Sequence, residues 1–176
     1  MLLEKTPLAG VLVTSVQKIE DERGFFARTF CQQEFSDAGI DLQLVQTNVS
    51  GNKSKGTLRG LHFQDEPRPD KKLVTCTRGA IFDVVVDLRA ASATYLQWFG
   101  VELSADNRKG LYVPPGCAHG FITLMDDTDV NYLMGETYVA ELARGVRWDD
   151  PAFAIEWPLQ PVTMNERDRA YPDWQK

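Results

Sequence analysis

Histidine is nearly absent from this chain, whose 176 residues include only His62 and His119. Two such residues, with no His-x-His pair, make a poor metal site, so no metal is expected. Cysteine is scarce as well. Cys31, Cys76 and Cys117 are odd in number and widely spaced, which excludes a disulfide framework and a Cys-x-x-Cys site. That usage points to a reduced, cytoplasmic protein. Basic residues do not dominate either: the net charge is −6, which argues against a nucleic-acid partner. No stretch approaches the ~18 apolar residues of a membrane helix, so no membrane partner is expected. Met1-Leu2-Leu3-Glu4-Lys5-Thr6-Pro7 lacks the charged start and long apolar core of a secretory leader. Also missing are a Gly-x-Gly-x-x-Gly turn, a phosphate-binding P-loop and a Gly-x-Ser-x-Gly elbow. There is no repeat, linker or long helical periodicity, so residues 1–176 read as one domain.

The apolar content, 43%, sits in short runs broken by Gly, Pro, Asp and Asn. Strands are expected over Leu8–Val16, Gly24–Phe30, Leu42–Ser50, Thr57–Phe63, Lys72–Thr77 and Ala80–Leu88. Others are expected over Leu96–Leu103, Gly110–Val113, Gly120–Met125 and Val130–Met134, and Arg78-Gly79 marks a hairpin. One helical turn is expected over Glu34–Gly39, and a short helix over Asn165–Ala170 with Asn165 as its N-cap. Many short strands without intervening helices give an all-β fold, a jelly roll or barrel. In Ile81–Arg89 alternation puts Phe82, Val84, Val86 and Leu88 on one face, expected to pack between the sheets. Asp83 is left on the other, facing solvent or a polar cavity.

Both histidines sit in strand-like sequence and both precede a phenylalanine or a Gly-Phe pair, which suggests one shared pocket. Imidazole titrates near neutrality, so His62 can act as a general base, best with a carboxylate on its other nitrogen. Asp168 and Asp83 are the candidates for that carboxylate. Tyr132, in Val130-Asn131-Tyr132-Leu133-Met134, can return a proton from the opposite side. Arg23, Arg59 and Lys72 are cations beside strands: arginine forks match phosphate oxygens, and a lysine offers a point charge to an oxyanion.

The segments Asp21-Glu22-Arg23-Gly24-Phe25-Phe26, Gln46-Thr47-Asn48, Leu58-Arg59-Gly60-Leu61-His62-Phe63-Gln64 and Lys72-Leu73-Val74 run in order along the chain. Asp83 to Arg89, Ala118-His119-Gly120-Phe121, Trp148-Asp149-Asp150-Pro151 and Ile155-Glu156-Trp157-Pro158 continue the series. Together they resemble the dTDP-4-dehydrorhamnose 3,5-epimerase family, a cupin-type jelly roll. The resemblance implies a nucleotide-linked 4-keto-6-deoxyhexose as substrate, no metal or redox cofactor, and a homodimer that exchanges N-terminal strands. It implies His62 as base oriented by Asp168 (with Asp83 the lesser candidate), Tyr132 as acid and Lys72 at the enolate oxygen. It further implies His119 on the sugar or keto oxygen, and Arg23 and Arg59 on the diphosphate. Gln46, Thr47 and Asn48 fall near base or ribose, and Tyr138 near the nucleotide or sugar pocket. Three positions depart from the family pattern: Arg28 and Ala143 stand where glutamates are usual, and Arg167 where a lysine is. They bear on nucleotide preference, while the proton-transfer set is intact.

Two rival functions fit the same scaffold. A keto-sugar isomerase would move the carbonyl, and a binding cupin would turn nothing over. A base and an acid on opposite faces favour inversion over both.

Overall fold

Two antiparallel sheets pack face to face in the computed structural model, which describes residues 1–175. The first holds β1 (Leu2–Lys5), β2 (Leu12–Ser15), β5 (Gln46–Asn52), β7 (Lys72–Arg78), β10 (Gly110–Val113) and β12 (Thr128–Met134), in the order β1-β2-β10-β7-β12-β5. The second holds β6 (Leu58–Gln64), β8 (Ala80–Asp87), β9 (Trp98–Ser104), β11 (Cys117–Thr123) and β13 (Ala143–Gly145), in the order β13-β6-β11-β8-β9. A separate hairpin of β3 (Lys18–Asp21) and β4 (Gly24–Ala27) pairs with neither. Two short helices complete the chain, α1 (Gln32–Asp37) and α2 (Glu166–Arg169). This is the all-β, cupin-type fold expected, and no helix among the described residues is long and apolar enough to cross a membrane.

Alternation along each strand builds three apolar layers rather than one. Between the sheets lie Val74, Leu111 and Val130 from the first and Ile81, Val85 and Phe121 from the second, all buried. Outside the first sheet, Leu73 and Tyr112 are covered by Phe35 of α1 and by Leu42. Outside the second, Val84, Val86 and Ala118 are covered by the C-terminal segment through Val146 and Phe153, with Trp157 and Trp174 packed on them.

That last layer corrects one expectation. Phe82, Val84 and Val86 do not pack between the sheets; they face the C-terminal wrap, and the inner face carries Ile81, Asp83 and Val85. Both faces of β8 are buried, so polarity alone does not reveal which one meets the partner sheet. Strand limits also shift. The expected Leu8–Val16 strand shortens to β2, the Leu42–Ser50 strand begins later as β5, and β1, β3 and β13 are additional.

The candidate active site

β6 and β11 come unusually close beside the two histidines. A Cβ on Gly60 would lie 2.6 Å from the Gly120 Cα, so only glycine fits, and its φ of +138° is one that side chains avoid. The pairing register shifts between His119 and Phe121, a bulge after which His119 and His62 sit directly opposite each other. Cross-strand partners share a face, and this face points between the sheets.

Each imidazole finds its own carboxylate. His62 Nε2 lies 2.7 Å from Oδ1 of Asp168, and His119 Nε2 lies 2.7 Å from Oδ1 of Asp83. Asp168 belongs to α2, where the Asn165 side chain caps the helix by accepting the Asp168 N–H at 2.6 Å. Its second oxygen accepts the Gly60 N–H at 3.1 Å. Burial pushes the Asp168 carboxyl up, but the His62 hydrogen bond, the His62 charge and the Gly60 N–H outweigh it and hold it below the usual range. An ionised Asp168 only accepts, so His62 Nε2 carries the hydrogen of this bond and Nδ1 is the nitrogen left to act as a base. Asp83 behaves otherwise: burial drives its carboxyl up, and His119 offsets this only in part.

The opposite wall comes from the first sheet. Tyr132 on β12 is directly across from Asn48 on β5 and Val74 on β7, and its ring meets His119 edge to face at 6.1 Å. Burial, then the charge of Asp83, push its hydroxyl far up, so it is a proton donor at neutral pH. Lys72 opens β7 almost out of solvent, with Nζ 2.5 Å from Asp70 Oδ2.

These groups surround one cavity of about 400 Å³ whose walls include His62, Tyr132, Lys72, His119, Asp168 and Arg59. That volume suits a small-molecule ligand. Among the described residues no three His, Cys, Asp or Glu side chains converge on a metal-sized site. A paired imidazole and a protonated phenol on facing sheets, with a cation beside them, form an arrangement for moving a proton across a ring.

Residues 5–176 match the profile described as dTDP-4-dehydrorhamnose 3,5-epimerase. The chain belongs to that family. A Methanothermobacter thermautotrophicus dTDP-4-dehydrorhamnose 3,5-epimerase is 46% identical over 94% of this chain and 90% of its own. The Bacillus anthracis dTDP-4-dehydrorhamnose 3,5-epimerase solved with TDP and PPi superposes with a TM-score of 0.94 at 40% identity, covering 98% of this chain and 99% of that one. The Legionella pneumophila dTDP-6-deoxy-D-glucose-3,5-epimerase solved with dTDP-4-keto-L-rhamnose gives 0.90 at 34% identity, with 99% of both chains covered.

Not every residue singled out from the sequence reaches the cavity of this epimerase-family fold. Asn48, Arg59 and Tyr138 line it, while Asp83 stands behind His119. Gln46 bonds Asn48 and accepts the Tyr138 N–H at 3.4 Å, so it meets the mouth only indirectly. Thr47 pairs with Leu133, on the face turned away from Tyr132. Arg23 is exposed on the β3–β4 turn, paired with Asp21 at 2.5 Å. Of the three departures, Arg28 is tied to Glu34 at 2.6 Å, whereas Ala143 and Arg167 line the mouth. Sequence reasoning missed Asp70, Glu136 and Met134 in the wall and Tyr171, whose ring meets His62 edge to face at 6.2 Å. The spacing of Asp70 two residues before Lys72 was a usable signal, since alternation puts both on one side of an extended chain.

Proposed function

We propose that this chain inverts C5, C3 or both in a dTDP-linked 4-keto-6-deoxyhexose, by proton removal and return beside the ketone. The observation that carries this reading is that His62 and Tyr132 stand on opposite sheets across one cavity. The 4-keto group acidifies both neighbouring carbons. His62 takes the proton through Nδ1 while Asp168 holds Nε2–H and steadies the imidazolium that forms. The electron pair moves onto the keto oxygen, where Lys72 and His119 meet the developing charge. Tyr132 then gives its hydroxyl proton to the other face of the same carbon. Solvent returns a proton to the phenolate and takes one from the imidazolium, so the cycle balances without a redox step.

Arg59 serves the diphosphate, and its guanidinium is already aimed by the Asn52 side chain, which accepts from Nε at 2.8 Å. Asn48 and Tyr138 serve the nucleotide, with Gln46 and Thr47 at its margin. Arg23 has no place in its own chain's cavity, and its hairpin exposes Ile19 and Phe26, 69% and 73% accessible. Both features support a homodimer in which this arm crosses to the neighbour and Arg23 completes the partner's site. Three free cysteines suit work in the cytoplasm.

The test is proton NMR in D₂O with dTDP-, GDP- and CDP-linked 4-keto-6-deoxy sugars. Deuterium should enter C5, C3 or both of the dTDP-linked sugar, with inversion at each labelled centre. Carbonyl migration without inversion, or no uptake from any of the three, would end the proposal.

A further inference from the structure

Lys72 is 5% exposed and Asp70 7%, an uncommon burial for two charged groups in a cavity wall. They meet at 2.5 Å through Nζ and Oδ2. The other charges nearby are committed elsewhere: Asp83 on β8 to His119, Glu136 to Arg68, and Lys71 turned outward to Asp41. Asp70 is therefore the one carboxylate among the described residues bonded to this ammonium.

Asp70 is itself held from the other sheet. Its Oδ1 accepts the backbone N–H of Gln64 at 2.8 Å, and Gln64 lies two residues beyond His62 on β6. The Gln64 side chain locks this corner further. Nε2 donates to the carbonyls of Arg68 and Thr137, at 2.5 and 3.1 Å, and Oε1 accepts the Val139 N–H at 2.7 Å. One carboxylate thus spans from the strand of the candidate base to the strand of the candidate cation.

We infer that Asp70 is a positioning residue that fixes the Lys72 ammonium at one point on the wall, in register with His62, where the enolate oxygen forms. A lysine side chain is a flexible four-carbon stem with a compact charge, and it needs such an anchor to meet an oxyanion in a fixed place. A buried charge also needs a partner. The inference rests on the role given to Lys72 above.

Asp70→Asn keeps the shape and the acceptor for the Gln64 N–H but removes the charge that holds Nζ. Turnover should fall about 10–100-fold, in the range for a misplaced oxyanion partner. KM should stay within about twofold, because ground-state contacts are untouched. Asp70→Glu should recover part of the loss. In a Lys72→Met background Asp70→Asn should cost nothing further, since Asp70 acts only through the cation. An equal loss in that background, or full turnover in Lys72→Met alone, overturns the inference. A crystal structure of Asp70→Asn decides it independently of activity. Nζ should have left its place, and Nζ within about 0.5 Å of its original position overturns the assignment. A wild type that exchanges no deuterium removes the epimerase reading, yet the Nζ position still decides whether Asp70 places Lys72.

Discussion

His62 and His119 are direct cross-strand partners, yet each is bound at 2.7 Å to a different buried carboxylate, Asp168 and Asp83. The side chain of His62 is 41% accessible and that of His119 is 4%. The two should therefore fail in different ways. His62→Asn should abolish deuterium uptake at the smaller cost in stability, because Asp168 keeps the Gly60 N–H at 3.1 Å as a partner. His119→Ala leaves the buried Asp83 carboxyl without its partner and should cost more, on the order of 1–3 kcal/mol in denaturant unfolding. Equal destabilisation by both changes would contradict the division.

Tyr132→Phe separates removal of the proton from its return. The phenol is the proposed donor on the first sheet, and its loss should reduce inversion on the order of 10²–10⁴-fold. In the proposed mechanism His62 still removes the proton and can hand back a deuteron on its own side. Deuterium should then enter the substrate with retained configuration, visible as label without new product in the NMR assay. Inversion at the wild-type rate in this variant would remove Tyr132 from its role.

Asp87 gives a test by pH. It is buried at the end of β8 and accepts from Arg89 Nε at 2.8 Å, Ser92 Oγ at 2.5 Å and Thr94 Oγ1 at 2.6 Å. Burial pushes its carboxyl up, but these bonds outweigh it and bring it down to about 2. A folded-state value below the unfolded one means the network stabilises fully above roughly pH 4 and loses that contribution as pH falls toward 2. Asp87→Asn should accordingly be less stable than wild type at pH 7, and the gap in unfolding free energy should narrow between pH 4 and 2. A gap independent of pH would exclude this linkage.

β10 was legible as a short apolar run, Leu111-Tyr112-Val113, between Gly110 and Pro114, and β12 by its Val130-Asn131-Tyr132 alternation. The face of β8 was not, since Val84 and Val86 are as buried under the C-terminal wrap as Ile81 and Val85 are between the sheets. β13 escaped notice because three residues, Ala143-Arg144-Gly145, carry no period, and only pairing with β6 makes them a strand. The site was legible as residue types and through the family resemblance, and both oriented histidines were found that way. Which carboxylate serves which imidazole was not legible from local pattern. Asp168 reaches His62 from a helix far along the chain, and no periodicity encodes that contact.

Gly60 joins stability to catalysis in one backbone position. Its φ of +138° and the 2.6 Å approach of an added Cβ to Gly120 mean that Gly60→Ala must both strain the backbone and push β6 off β11. Backbone strain of about 1–3 kcal/mol and overpacking of about 1–3 kcal/mol act together there. The same residue donates its N–H to Asp168, so displacing it also loosens the carboxylate that orients His62. Turnover should fall more than about tenfold even in the fraction that remains folded, because an angstrom of misplacement is costly to proton transfer. Gly10→Ala is the control: its φ is +78°, its added Cβ meets nothing nearer than 3.7 Å, and it lies away from the cavity. It should lose some stability through strain and no turnover. Comparable activity in the two variants, measured by deuterium uptake at equal folded fraction, would show that the close approach of β6 and β11 does not hold the His62–Asp168 pair in place.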